Sequence, residues 1–309
     1  MNKTALAHFA LGASAVIYGA NYIIAKSVMP DPIGPNSFIT LRVVGACLLF
    51  WLISAKKMRI PDRSDWGRFA LCAICGVATN QLLFFNGLAL TSPINASIIM
   101  TSNPIIVMII SAVLLKQRIT LLKFIGVVFG AIGAVVLLYL SAHDLSKQSS
   151  ITGDMCILVN SISWGFYLVL VKPLMKKYDP LVITAWVFLI GILLVLPFGG
   201  MGIATIAWSE LTMWQWFSVM YVIVCTTFLT YLCNMIGVFY LSPTVASAYI
   251  YFQPVLAGVF AFLFSSWLHA NYASDITWPK VMCTCLVFVG IYLVSRSDRR
   301  LTANEGRSA

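Results

Sequence analysis

Thr91–Pro104 reads TSPINASIIMTSNP, and Leu241–Pro254, 150 residues further on, reads LSPTVASAYIYFQP. Ser-Pro, Ala-Ser and the closing proline fall in register, and a side-chain amide (Asn103, Gln253) precedes that proline both times. The chain is therefore read as two copies of one unit. Each copy places a proline at the same depth of an apolar stretch, the sequence pattern of a duplicated membrane carrier.

The surrounding composition puts both copies in a bilayer. Of 309 residues, 60% are apolar and 10% charged, and the mean hydropathy is +0.92. A soluble domain could not hide that much apolar surface. Ten stretches are long enough to cross roughly 30 Å of hydrocarbon as helices. They lie near 5–29, 37–55, 67–89, 94–115, 121–141, 153–172, 180–198, 212–240, 244–265 and 277–295. They are continuously apolar rather than alternating, which excludes a transmembrane barrel. The first is interrupted by polar residues, and the eighth is overlong and carries Thr226, Thr227 and Asn234. The basic N-terminal run imitates a secretory leader, but it continues through Tyr18–Asn21 and has a counterpart in the second half, so it reads as a span.

The repeat extends over the whole chain. Tyr18-Gly19 with Lys26 matches Trp164-Gly165 with Lys172 at an offset of 146. Ile39-Thr40 with Arg42 matches Ile183-Thr184 with Trp186, and Lys123 with Gly133 matches Lys280 with Gly290. The division is a first five-helix repeat over 1–141, a polar linker at 142–151, a second repeat over 152–296 and a tail at 297–309. Five is odd, so the second copy enters from the opposite side of the membrane. The expected fold is all-α and integral to the membrane, with ten transmembrane helices in two inverted five-helix repeats.

The net charge of +10 follows that topology. Sixteen of the twenty Lys and Arg fall on the side that also holds both termini. By the positive-inside rule this side is cytoplasmic. The basic balance thus reports orientation and contact with lipid headgroups, and no nucleic-acid partner is implied. The eight cysteines lie in or beside apolar spans and read as packing. Cys72 and Cys75 have the CxxC spacing, but no histidine or second pair accompanies them. No metal or other cofactor is implied.

At the level of motifs the chain resembles EamA-type members of the drug/metabolite transporter (DMT) superfamily over nearly its full length. The features are Tyr-Gly-Ala-Asn at 18–21, Leu41-Arg42, Gly153-Asp154 leading to Ser163-Trp164, and Ser-Pro-x-x-Ala-Ser before a proline in spans four and nine. The resemblance implies a ten-helix basket around a central cavity and the movement of small metabolites, often outward. In one respect the chain departs from that pattern: Gln117 and Trp267 stand where the family often has the glutamate of a Gly-Glu pair. That puts glutamate-based coupling in doubt.

The substrate-binding candidates are the uncharged polar and aromatic residues within spans. They are Tyr18, Asn21, Tyr22, Asn80, Gln81, Asn103, Asn160, Ser163, Trp164, Tyr167, Thr230, Tyr249 and Gln253, with Thr226 and Asn234 beside them. Any one of them can instead be helix–helix glue. As a group they suit a small polar or amphipathic solute such as an amino acid or nucleoside. Pro104 and Pro254 lack an N–H and clash with the carbonyl four residues earlier, so each is expected to kink its helix, either around a cavity or for packing alone. Arg42 is the sharpest single residue, because an intramembrane arginine is costly. It snorkels to the interface, pairs with backbone carbonyls, or attracts an anionic group toward the cavity mouth, and Lys26 is a weaker version of the same case.

The ten acidic residues and three histidines map to loops, tails or span ends. A proton relay at membrane depth is therefore not expected, and facilitated diffusion or exchange is favoured over proton-driven export. A membrane enzyme lacks a clustered nucleophile, base or metal set. A sensor would carry a soluble output domain, and a channel does not need two symmetric halves. The partners implied are a small-molecule substrate and the lipid bilayer of a bacterial inner membrane. The chain reads as monomeric, with Gly126, Gly130 and Gly133 as a stripe for either dimerisation or internal packing.

Overall fold

The structure, a computed structural model, describes residues 3–29, 31–91, 93–117, 119–142 and 150–268, with scattered positions between 282 and 297. The described residues form helices and no strands. In order these are α1 Lys3–Lys26, α2 Pro35–Ser54, α3 Trp66–Ala73, α4 Thr79–Leu90, α5 Pro93–Met100, α6 Asn103–Leu114 and α7 Leu121–Ala142, followed by α8 Ile151–Leu174, α9 Pro180–Ile203, α10 Met213–Tyr221, α11 Thr230–Tyr240, α12 Pro243–Ala248 and α13 Phe252–Leu268. An all-helical answer is what lipid demands, since each backbone polar group must be satisfied within its own segment or by a neighbour.

Among the described residues, seven helical runs are long and apolar enough to cross a membrane: Lys3–Lys26, Pro35–Lys57, Arg63–Leu90, Ile151–Leu174, Pro180–Ile203, Met213–Tyr240 and Pro243–Phe264. They include the first and eighth expected spans, the two with the most polar sequence. The fourth expected span is two shorter helices, α5 and α6, separated by a turn at Thr101–Ser102 just ahead of Pro104. The linker, most of the tenth span and the tail lie outside the described residues.

Helix starts are written locally. α2, α5, α9 and α12 each carry a proline in the first turn, where its missing N–H has no intrahelical acceptor to lose. Asp179 caps α9 through the Leu181 N–H, and Thr212 with Gln215 forms a capping box at α10.

Four departures from regular α-helix recur at matched places. The third and eighth spans each contain a π-helical stretch, Ile74–Ala78 and Val222–Leu229. The fourth and ninth spans each break just before their proline, at Thr101–Ser102 and at a 3-10 turn over Tyr249–Tyr251. A π stretch or a proline leaves carbonyls without their usual partners.

Helix contacts repeat with the sequence offsets. α2 and α9 lie antiparallel: Ser37 donates to the Gly199 carbonyl near one end, and Trp51 Nε1 donates to the Ala185 carbonyl near the other. A Cβ added at Gly19 of α1 would stand 2.4 Å from Leu256 in α13, and one at Gly165 of α8 would stand 3.1 Å from Ile106 in α6. Gly237 meets Leu11, as Gly87 meets Ile157. Such small-residue contacts are how helices associate where lipid removes the hydrophobic driving force. Two glycines of α7 make such contacts, Gly126 with the Gly290 carbonyl and Gly130 with the Tyr251 ring.

The ends of the bundle are tied by polar contacts. At one end, Lys57 pairs with Asp179 and Lys177 with Asp65, each at 2.9 Å, while Tyr178 donates to Asp65. At the other, Trp214 Nε1 donates to Ser27 and Asn86 to Asn36.

Candidate functional site

The lysines that the repeat pairs at 26 and 172 do one job. Lys26 Nζ donates to the carbonyls of Leu88, Ala89 and Thr91, which close α4. Lys172 Nζ donates to those of Val238, Phe239 and Leu241, which close α11. Each ammonium satisfies the open carbonyls of a helix C-terminus and matches its dipole. Lys26 is therefore held at a helix end and does not line the cavity.

That cavity, with about 50 Å³ open to a water-sized sphere, lies among the spans and draws on both halves of the chain. α1 contributes Tyr18, Asn21 and Tyr22, α2 contributes Arg42, and α4 contributes Asn80, Gln81, Phe84 and Phe85. Met100, Asn160, Trp164, Thr226, Tyr231, Ile250 and Gln253 complete the wall. Nine of the fourteen residues expected from sequence thus converge, Tyr18, Asn21, Tyr22, Arg42, Asn80, Gln81, Asn160, Trp164 and Gln253, and Thr226, named beside them, joins the wall.

The other five expected residues are engaged elsewhere. Asn103 donates to the Ser161 carbonyl at 2.5 Å, and Ser163 donates to the Cys75 carbonyl. Tyr167 reaches the Met235 sulfur, and Thr230 bonds back to the Thr226 carbonyl. Tyr249 Oη lies 2.8 Å from His8 Nδ1. The Thr230 contact lies within its own span, and the other four hold helices together. Phe84, Phe85, Met100, Tyr231 and Ile250 were not foreseen. Only Tyr231 had a usable signal, because it stands 150 residues after Gln81.

Arg42 is buried, 3% exposed, which removes the snorkelling alternative. Its Nε donates to Thr227 Oγ1 at 2.8 Å, and its guanidinium carbon lies 4.2 Å from the centre of the Phe85 ring. Among the described residues no carboxylate pairs with it. The acids Asp31, Asp62, Asp65, Asp154, Asp179 and Glu210 are all absent from the cavity wall. Among the described residues the cavity wall thus carries one cation, buried and without a carboxylate partner.

The remaining polar groups fall into two kinds. Some bridge the halves: Tyr22 donates to Gln253 Oε1 at 2.9 Å, Gln81 donates to Tyr231 Oη at 2.7 Å, and Tyr231 donates to the Gly76 carbonyl in the first π stretch. Asn160 Nδ2 donates to the Asn80 carbonyl at 2.7 Å. Others wait: among the described residues Asn21 Oδ1 and Asn160 Oδ1 are buried without a hydrogen-bond partner. A stranded buried acceptor costs about 1–3 kcal/mol, a cost a polar guest could remove. Trp164 packs edge-on to Tyr231 at 5.3 Å, adding an aromatic wall.

Comparison with known proteins now bears on the assignment. The EamA-like transporter family matches residues 5–139 and again 151–296. The chain belongs to that family. Its members fall in the drug/metabolite transporter superfamily, and the protein is accordingly a multi-pass membrane transporter. It is 25% identical over 252 residues to the uncharacterized transporter YyaM of Bacillus subtilis, covering 80% of this chain and 82% of that one. It is 24% identical over 307 residues to the uncharacterized transporter sll0355 of Synechocystis, covering 92% and 88%. A WAT1-related protein of Arabidopsis thaliana, At2g40900, is 24% identical over 202 residues, covering 58% and 51%. A solved crystal structure superposes with a TM-score of 0.69 at 18% identity, covering 94% of this chain and 97% of the other. That likeness speaks for the fold alone. YyaM and sll0355 are both named as transporters, which is consistent with a non-enzyme.

Proposed function

We propose that this EamA-family transporter carries a small carboxylate-bearing metabolite, an amino acid or similar zwitterion, by alternating access between two inverted five-helix halves. The observation that carries the substrate class is Arg42, a buried guanidinium at the cavity wall with no carboxylate partner among the described residues. A solute carboxylate would supply the missing charge. The stranded Asn21 and Asn160 amide oxygens would accept hydrogen bonds from an ammonium or hydroxyl, and Trp164 with Phe84 would flank the body of the solute.

Three observations support the inverted arrangement. The repeat-related helices α2 and α9 run antiparallel. Repeat-related lysines close repeat-related helix ends. Both π stretches and both proline breaks recur in register. Both termini and the Lys57–Asp179 and Lys177–Asp65 loops belong, on this reading, to the cytoplasmic face of a bacterial inner membrane.

A sugar-phosphate or nucleotide-sugar carrier would need several cavity cations, and the wall offers one. A proton-coupled exporter would need an acid or histidine in the wall, where none of the lining residues is one. Facilitated flux or exchange is therefore favoured, with export as the net direction. The test is radiolabelled flux into proteoliposomes across amino acids, nucleosides and organic anions, with and without a proton gradient. Saturable, gradient-independent exchange of a carboxylate-bearing solute is expected. Flux confined to neutral nucleosides would overturn the substrate class, and accumulation that strictly requires a proton gradient would overturn the mechanism.

A further inference from the structure

Thr227 is not among the residues of the cavity wall, yet it bonds Arg42, a cation that is. It is fully buried in the π stretch of the eighth span. Its hydroxyl donates to the Val222 carbonyl five residues earlier at 2.7 Å, in the i to i−5 spacing of a π-helix. A hydroxyl has one proton, so that bond turns an oxygen lone pair outward. Arg42 Nε donates to that lone pair at 2.8 Å. The guanidinium carbon lies over the Phe85 ring, 4.2 Å from its centre, a second contact that holds the group in place.

A guanidinium can grip a carboxylate side-on, through Nε and one terminal nitrogen, or end-on, through both terminal nitrogens. Thr227 occupies Nε, so only the end-on fork remains. We propose that Thr227 is a positioning residue that sets the Arg42 fork and so makes the cavity select planar carboxylates. This rests on the reading of Arg42 as the anion receptor. The eighth-span π stretch then has a functional purpose, because regular α-helix would remove the i−5 carbonyl that orients the hydroxyl.

The experiment compares wild type with Thr227→Val, which keeps shape and loses the hydroxyl, and Thr227→Ser, which keeps the hydroxyl. The first readout is hydrogen exchange at Arg42 Nε by NMR in ligand-free nanodiscs. Slow exchange in wild type and Thr227→Ser with fast exchange in Thr227→Val is expected, and equal exchange in all three would overturn the proposal. The second is the binding ratio of benzoate to benzamide, an anion and its neutral counterpart. About a tenfold fall in that ratio in Thr227→Val, restored in Thr227→Ser, supports the role, and an unchanged ratio refutes it. If wild type binds neither probe, the anion-receptor reading fails, and the exchange measurement still decides whether Thr227 orients Arg42.

Discussion

Replacing Arg42 with methionine separates the functional reading from a structural one. Methionine fills most of the volume and removes the charge. The lost contacts are one charge-assisted hydrogen bond to Thr227 and one stacked contact with Phe85, together about 2–4 kcal/mol. Against this stands the desolvation of a guanidinium that no carboxylate offsets, several kcal/mol for a buried ion. Thr227 is not stranded by the change, since its proton still goes to Val222. The terms nearly cancel, so Arg42→Met should leave the melting temperature unchanged or slightly raised. Substrate affinity should behave otherwise. Truncating one partner of a buried hydrogen-bonded charge pair costs about 2–5 kcal/mol, roughly thirtyfold or more in Kd. The assay is paired: thermal unfolding in detergent, and uptake of the solute identified by the flux screen. A variant that melts well below wild type yet retains the carboxylate affinity would refute the reasoning, because Arg42 would then be a structural cation.

The remaining predictions concern the scaffold. Lys26→Met removes three bonds to the Leu88, Ala89 and Thr91 carbonyls and should destabilise by about 2–3 kcal/mol while solute Kd stays constant; a selective loss of anion affinity would return Lys26 to the site. Gly199→Ala places a Cβ 2.0 Å from the Asn36 carbonyl oxygen, whereas Gly12→Ala meets nothing within 4 Å. The first should cost about 1–3 kcal/mol or more and the second nothing in a melting assay, and equal behaviour would contradict the α2–α9 packing. The Asp65 hydrogen bond and charge hold the Lys177 ammonium pKa above its ordinary 10.5. Its stabilising contribution is therefore complete below that value and lost as pH rises through the shifted one. Wild type should lose melting temperature above about pH 10.5 more steeply than Lys177→Met, by a small margin for so exposed a pair, and parallel pH curves would remove the bond from the account.

Much of the fold was legible because the chain states it twice. An offset of 146 or 150 carries Gly19 against Leu256 onto Gly165 against Ile106, and Lys26 at the end of α4 onto Lys172 at the end of α11. The cavity was legible only where a polar group interrupts an apolar run, as at Asn21, Arg42, Gln81 and Asn160. Phe84 and Phe85 were not, because a membrane helix is apolar on its lipid face and its packed face alike. Periodicity therefore cannot say which phenylalanine faces a cavity. Asn103, Ser163, Tyr167 and Tyr249 show the converse limit. In sequence, a polar side chain bound to a neighbouring helix looks the same as one facing a solute.

The polar lining and the irregular backbone are two aspects of one design. Every π stretch or proline releases carbonyls that lipid cannot satisfy, and these must be met from nearby. Tyr231 of the second half meets Gly76 of the first, and Asn160 of the second meets Asn80 of the first. Arg42 of the first half meets Thr227, which itself closes on Val222. Polar side chains are thus drawn to the places where the spans depart from α-helix, and there they form the cavity wall. Several of the contacts that join the halves at that wall are breakable. Tyr22 with Gln253, Gln81 with Tyr231 and Arg42 with Thr227 are single hydrogen bonds, each worth about 0.5–3 kcal/mol. A solute that satisfies some of these groups could offset their loss, which is the differential affinity that any ligand-driven change of state requires.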